Sequence, residues 1–148
     1  MSLTVRVTPI RFEEVELGQV FQTSECFGYA AMDQFASLTG DYSAIHVDAR
    51  TAMACGFPDR LQYGFLLAGL LSRIVGTYLH KAVCAAVSLD FMKPVLAQAQ
   101  VDATAEVIQI QHAMRSVALR ITMTSGATTV VRGKLTTVFL PNSQESSD

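Results

Sequence analysis

The sequence predicts an α+β domain in which an antiparallel sheet wraps around one long central helix. Three observations carry this. Residues 83–140 have the texture of strands, with apolar residues recurring at period two between turn signals. Residues 10–80 mix helical spacing with loop signals. The most apolar stretch, 64–79, is too long for an ordinary strand. It is interrupted by Ser72 and Arg73 and falls short of the ~20 residues that span a bilayer, so it reads as a buried helix.

In chain order, Phe21 to Phe27 reads as a strand of that sheet. Tyr29 to Leu38 has helical spacing through Met32, Phe35 and Ala36 and ends near Gly40. Gly40 to His46 is polar and reads as a loop. Asp48 to Ala54 reads as a short helix capped by Asp48. Gly64 to Leu79 is the central helix, with Leu66, Leu67, Leu70, Leu71, Ile74 and Tyr78 at helical spacing. At 1.5 Å per residue it spans about 24 Å, enough to lie across several strands. Gly69 and Gly76, seven apart, share a face on which backbone is expected to approach the sheet closely. Gly64, Ala68 and Ser72 form a second stripe of small residues. The helix is apolar nearly all round, which predicts deep burial.

The strands follow. Val83, Ala85, Val87, Leu89 and Phe91 alternate, and Lys93-Pro94 closes the run. From Val101 to Gln111 the alternation changes phase near Val107-Ile108, which predicts a bulge. Val117, Leu119, Ile121 and Met123 alternate cleanly, and Ser125-Gly126 supplies a hairpin turn. Val131, Leu135 and Phe139 continue on a returning strand opposite Arg132, Lys134 and Thr136. Four long strands joined by short turns make an antiparallel sheet with one buried face. Such a sheet around one long helix is the hot-dog architecture.

At 148 residues the chain suits one domain, read as residues 1–141, with 142–148 a polar tail expected to be disordered. Half of the residues are hydrophobic and 16% are charged, which excludes disorder for most of the length. Net charge is −2 without any Lys/Arg cluster, so neither nucleic acid nor a membrane surface is an expected partner. The charged fraction is low for a small monomer, so an apolar pocket or a subunit interface should absorb the excess. Cys26, Cys55 and Cys84 are odd in number and widely spaced, with no paired-cysteine motif. A disulfide framework or zinc site is not expected. The N-terminus has no hydrophobic signal core, and a cytoplasmic protein is the expectation.

The polar residues concentrate in Gly40-Asp41-Tyr42-Ser43-Ala44-Ile45-His46. Asp41 and His46, five apart on a turn, can converge and hold a water molecule between carboxylate and imidazole. The same residues also suit an Asx turn and a satisfied loop histidine. His80 and His112 stand alone, so no metal is expected, and no phosphate-binding loop is present. Lys93, Arg60 and Arg73 could meet phosphates and equally suit solvated or helix-end positions.

Phe35 to Asp48 resembles the signature of the MaoC-like dehydratases, the hydratase 2 family that includes the (R)-specific enoyl-CoA hydratases. Their motif reads Gly-Asp-x-Asn-Pro-aliphatic-His before a short helix containing Ala. Gly40, Asp41, Ile45, His46 and Asp48 fit it, and Ala52 or Ala54 falls at the small position. The family's His-Gly-Met at the start of the central helix is matched by Tyr63-Gly64-Phe65, and Ser72 falls where the family often has serine. Phe12 to Gly18 is similar to the family's opening. The resemblance covers roughly residues 10–141, and Ser43, Ala44 and Tyr63 depart from the family's Asn, Pro and His.

The resemblance implies a hydro-lyase that interconverts trans-2-enoyl-CoA and (R)-3-hydroxyacyl-CoA. In its scheme Asp41 and His46 hold the water, His46 is the favoured base and Asp41 returns the proton. The Gly64 N–H, at a helix start, binds the enolate oxygen. Ser72 orients Asp41, and Ser43 and Tyr63 contribute to the substrate site. The implied substrate is a CoA or acyl-carrier-protein thioester, with no cofactor, in a homodimer or larger homo-oligomer. A hot-dog thioesterase and a non-catalytic acyl-thioester-binding subunit are the alternatives.

Overall fold

The computed structural model of the protein describes residues 7–141, so the expected polar tail, 142–148, lies outside the described residues. A single 3-10 turn, Phe12–Glu14, precedes β1 (Val20–Cys26). Three helices follow, α1 (Tyr29–Thr39), α2 (Ala44–Val47) and α3 (Ala49–Ala54), and then the long α4 (Gly64–Tyr78). The chain ends in β2 (Ala82–Phe91), β3 (Gln100–Gln111), β4 (Ser116–Ser125) and β5 (Thr128–Phe139). No helix among the described residues is long and apolar enough to cross a membrane.

The five strands form one antiparallel sheet in the order β1-β3-β4-β5-β2. Its concave face packs on α4. Leu67, Leu70, Leu71, Ile74 and Val75 share a core with Val101, Leu119, Ile121, Met123, Val131 and Leu135. This is the wrapped arrangement that the period-two strands and the apolar helix predict. The bulge is also present, because the β3–β4 register shifts between Val107 and Gln109. Ser125 pairs with Thr128 across a two-residue turn at the β4–β5 hairpin.

Four expectations need correction. The strands from 83 onward do not all lie beside their sequence neighbours. β2 pairs with β5 at the far edge of the sheet, not with β3. After β2, Lys93-Pro94 ends the ladder, and the following segment instead joins the residues before α4, with Leu61 bridging Leu96. Second, β2 does not bury one continuous alternating face. A register shift between Cys84 and Ala86 puts Cys84 on the side of Val87, Leu89 and Phe91, and Val83, Val87 and Phe91 remain exposed. Third, Gly69 and Gly76 do not approach the sheet. A Cβ at either would meet nothing within 4 Å, because the sheet-facing stripe is Leu67, Leu70, Leu71, Ile74 and Val75 and the glycines lie off it. Fourth, α4 is not buried all round, since Phe65, Ser72 and Gly76 are exposed.

Candidate active site

The site is built where α1, α2 and α4 begin or end. Met32 and Ala36, one turn apart, bury one face of α1. Gly40 then takes a left-handed conformation (φ +77°), and its N–H closes the helix on the Ala36 carbonyl at 2.8 Å. This turn throws Asp41 out of the helix. Residues 44–47, expected as loop, coil into the single turn of α2. The Asp48 N–H bonds the Ala44 carbonyl at 2.9 Å, and four residues are too few to print a period on the sequence. Asp48 caps α3 as expected, accepting from the Arg50 N–H at 3.0 Å and the Thr51 hydroxyl at 2.8 Å.

Asp41, His46, Tyr63 and Gly64 line one cavity of about 440 Å³, together with Phe65 and Phe91. One Asp41 carboxylate oxygen accepts from the Ser43 N–H at 3.1 Å and the Ser43 hydroxyl at 2.5 Å. The Asx turn and the site residue are therefore the same Asp41. The Ser43 hydroxyl, then its N–H, and the nearby His46 hold this carboxyl below its ordinary range, so it is an anion at neutral pH. The His46 Nδ1 lies 2.8 Å from the Leu61 carbonyl oxygen. A carbonyl only accepts, so Nδ1 carries a proton, and in the neutral ring Nε2 is the nitrogen with the lone pair.

Tyr63 is buried (2% exposed) and touches both residues. Its ring stacks on the His46 imidazole at 4.1 Å and 27°, and its hydroxyl donates to the Asp41 main-chain carbonyl at 2.7 Å. Burial, with the Asp41 charge second, pushes the phenol's pKa up and keeps it a donor. Gly64 follows as the first residue of α4. Leu66 and Leu67 both send their N–H to the Tyr63 carbonyl at 3.1 Å, whereas those of Gly64 and Phe65 have no backbone acceptor among the described residues. A Cβ on Gly64 would stand 2.8 Å from Phe91 Cε1, so glycine lets the Phe91 ring lie close against the start of α4.

The structure thus brings together Asp41, Ser43, His46, Tyr63 and Gly64 but not Ser72. Ser72 lies eight residues past Gly64, about 12 Å along the helix. It is exposed and lines a second cavity of about 370 Å³ with Ala68, Leu71, Cys84, Val87 and Leu135. Its hydroxyl is not among the partners of Asp41. Phe65 and Phe91 line both cavities, their rings edge-on at 6.4 Å.

Two contributors have roles that the sequence reading did not give them. Arg60, read there as a phosphate contact or a solvated or helix-end charge, is buried, and its Nε donates to the His46 main-chain carbonyl at 2.6 Å. It also pairs with Asp33 at 2.6 Å and lies over the Tyr29 ring at 5.2 Å, while the Tyr29 hydroxyl donates to the Asp59 carboxylate. It is a cation committed to the His46 segment, and Arg73 is likewise paired, with Glu25 at 2.6 Å. The second contributor is the Leu61 carbonyl, a backbone atom that no residue type could signal. Among the described residues no three His, Cys, Asp or Glu cluster in a way that could hold a metal.

Comparison with known proteins gives the family and the fold. The family model described as MaoC like domain matches residues 11–131. An (R)-specific enoyl-CoA hydratase of Aeromonas caviae is 31% identical over 102 residues, 68% of this chain and 76% of that protein. An (R)-specific enoyl-CoA hydratase of Rhodospirillum rubrum is 30% identical over 88% of this chain and 91% of its own length. The solved structure of the (R)-hydratase from A. caviae superposes with a TM-score of 0.83 at 27% identity, covering 86% of this chain and 99% of that one.

Proposed function

The chain belongs to the MaoC-like domain family, and from that premise we propose that it is a hydro-lyase that adds water to trans-2-enoyl-CoA, giving (R)-3-hydroxyacyl-CoA, and catalyses the reverse elimination. One observation carries the reading: Asp41, His46 and Gly64, whose N–H has no backbone acceptor among the described residues, line a single cavity. A water hydrogen-bonded to the Asp41 carboxylate gives its proton to His46 Nε2 as its oxygen bonds to C3. The C2=C3 electron pair moves toward the thioester carbonyl, and negative charge gathers on that oxygen. The Gly64 N–H, at the positive end of α4, stabilises it, and a donor of this kind is typically worth about 10²–10³ in rate. A proton then returns from the Asp41/His46 pair to C2, so one water is consumed and both residues end as they began. Asp41, an ionised carboxylate at neutral pH, orients the water and balances the charge of protonated His46 before it relays the proton. The proton goes back through the pair, with His46 as its first carrier. No cofactor enters these steps. The apolar second cavity suits an acyl tail passing the Phe65/Phe91 pair.

The same proposal includes a second copy of the chain. Phe65, Val87, Phe91 and Met92 are exposed along the open side of α4 and the β2 edge, an apolar surface that a homodimer would cover. Cytoplasmic action is part of the reading and rests on composition.

The test is to add a short trans-2-enoyl-CoA and follow loss of the conjugated thioester absorbance while monitoring free thiol. Loss without thiol is the expected result. Thiol release would mark a thioesterase, and neither signal over several chain lengths and carriers would mark a non-catalytic subunit.

A further inference from the structure

We propose that Tyr63 is the positioning residue that sets the Asp41/His46 pair in register with the Gly64 N–H, an inference that rests on the hydratase reading above. Packing alone does not account for this side chain. A buried ring at this place, against Phe35 at 4.6 Å and His46 at 4.1 Å, needs no hydroxyl. A buried hydroxyl is costly unless it is hydrogen-bonded, and this one has its partner in the Asp41 main chain, 22 residues away.

The Asp41 segment needs such a tie. Tyr42, Ser43 and Ala44 are exposed, and the hydrogen bonds of the Asp41 carboxylate and N–H go to its neighbours Ser43 and Thr39. Those contacts shape the turn but move with it. Among the described residues, the Tyr63 hydroxyl makes the hydrogen bond that anchors Asp41 to a distant element. The same ring limits how far the His46 imidazole can tilt about its Leu61 bond. Tyr63 is also the N-cap residue of α4, and the peptide that follows it carries the Gly64 N–H. One residue therefore joins the groups that hold water to the group that faces the thioester oxygen, and a shift of about 1 Å between them costs on the order of a hundredfold in rate.

The experiment compares Tyr63→Phe and Tyr63→Leu with the parent protein. It measures kcat and KM for a short trans-2-enoyl-CoA, thermal midpoint, amide hydrogen exchange over residues 41–46, and the His46 ring resonances. Tyr63→Phe keeps the stack and loses the tie. Its kcat should fall about tenfold with KM within about twofold and the midpoint nearly unchanged, and exchange over 41–46 should quicken. Tyr63→Leu loses both, so kcat should fall about a hundredfold and the His46 resonances should lose their ring-current shift. Parent-like kcat in Tyr63→Phe, or a rise in KM alone, would overturn the proposal, and so would unchanged exchange over 41–46. If the parent hydrates no enoyl thioester, the hydratase reading falls. Exchange and resonance shifts then still decide whether Tyr63 positions the pair. If Tyr63→Leu does not fold, Tyr63→Phe carries the test.

Discussion

The His46 imidazole is gripped by the residue fifteen positions after it: Nδ1 of His46 and the carbonyl oxygen of Leu61 stand 2.8 Å apart. The neighbouring Arg60 holds the same histidine from its other end, donating to the His46 carbonyl at 2.6 Å. The ring is fixed in both tautomer and place, which leaves Nε2 as the nitrogen able to take a proton.

Asp41→Ala and His46→Ala should each lower the hydration rate at least about a hundredfold, since general acid–base help is typically worth about 10²–10⁴. Far-UV circular dichroism should be unchanged, because both side chains lie at the cavity and outside the apolar core. Near-normal rates in both variants would remove them from the chemistry.

Gly64→Ala separates stability from activity. The new Cβ meets Phe91 Cε1 at 2.8 Å, but Phe91 is half exposed and its ring can swing aside. Alanine also suits a helix better than glycine. The thermal midpoint should therefore change by only a few degrees. Hydration should fall at least about tenfold, because the methyl and the displaced ring occupy the space in which a carbonyl would reach the Gly64 N–H. Unimpaired kcat/KM would show that this N–H is not used.

Acid should unfold the protein through its carboxylates. Ser43 holds the Asp41 pKa below its ordinary 3.8, and Asp48, Asp59 and Asp102 are lowered by hydrogen bonds from Thr51, Tyr29 and Ser24. A pKa depressed on folding contributes stability above the unfolded value, and that stability disappears as pH falls through the folded value. Denaturant midpoints should thus hold steady down to about pH 4 and drop below it. Ser43→Ala should move the Asp41 titration upward, read from its carboxyl carbon resonance. An unmoved titration would mean that Ser43 does not control this charge.

Sedimentation should give twice the chain mass. A stable interface buries roughly 1,200–2,000 Å² in total, and Val87, 59% exposed on the edge strand β2, lies within the surface proposed for it. Val87→Lys should shift the protein to monomer with its secondary structure intact. A parent protein that sediments as a monomer at all concentrations would refute the second-copy proposal.

Much of this architecture was legible in the chain itself. Helical spacing in 29–38 and 64–79 and alternation in 101–111 and 117–123 are local patterns, and local patterns survive folding. The change of phase near Val107-Ile108 predicted a bulge for the same reason. The Asp41/His46 spacing and the glycine-led helix named the polar part of the cavity wall, Asp41, His46, Tyr63 and Gly64. Ser72 misled because a shared helical stripe fixes direction but not distance, and eight residues carry it to the second cavity.

The sequence by itself determined most of the elements, the wrapped sheet and the Asp41/His46 spacing proposed here as the acid–base pair, because each is written in residues close together along the chain. Only the tertiary structure decided that β2 crosses to the far edge beside β5, which leaves an apolar side open. It also decided that Arg60, Leu61 and Tyr63 hold His46 and Asp41 from 14 to 22 residues away. These are contacts between a backbone carbonyl or a buried ring on one element and a loop on another. They have no period and no required residue type, and they exist only once the sheet, α1 and α4 have packed.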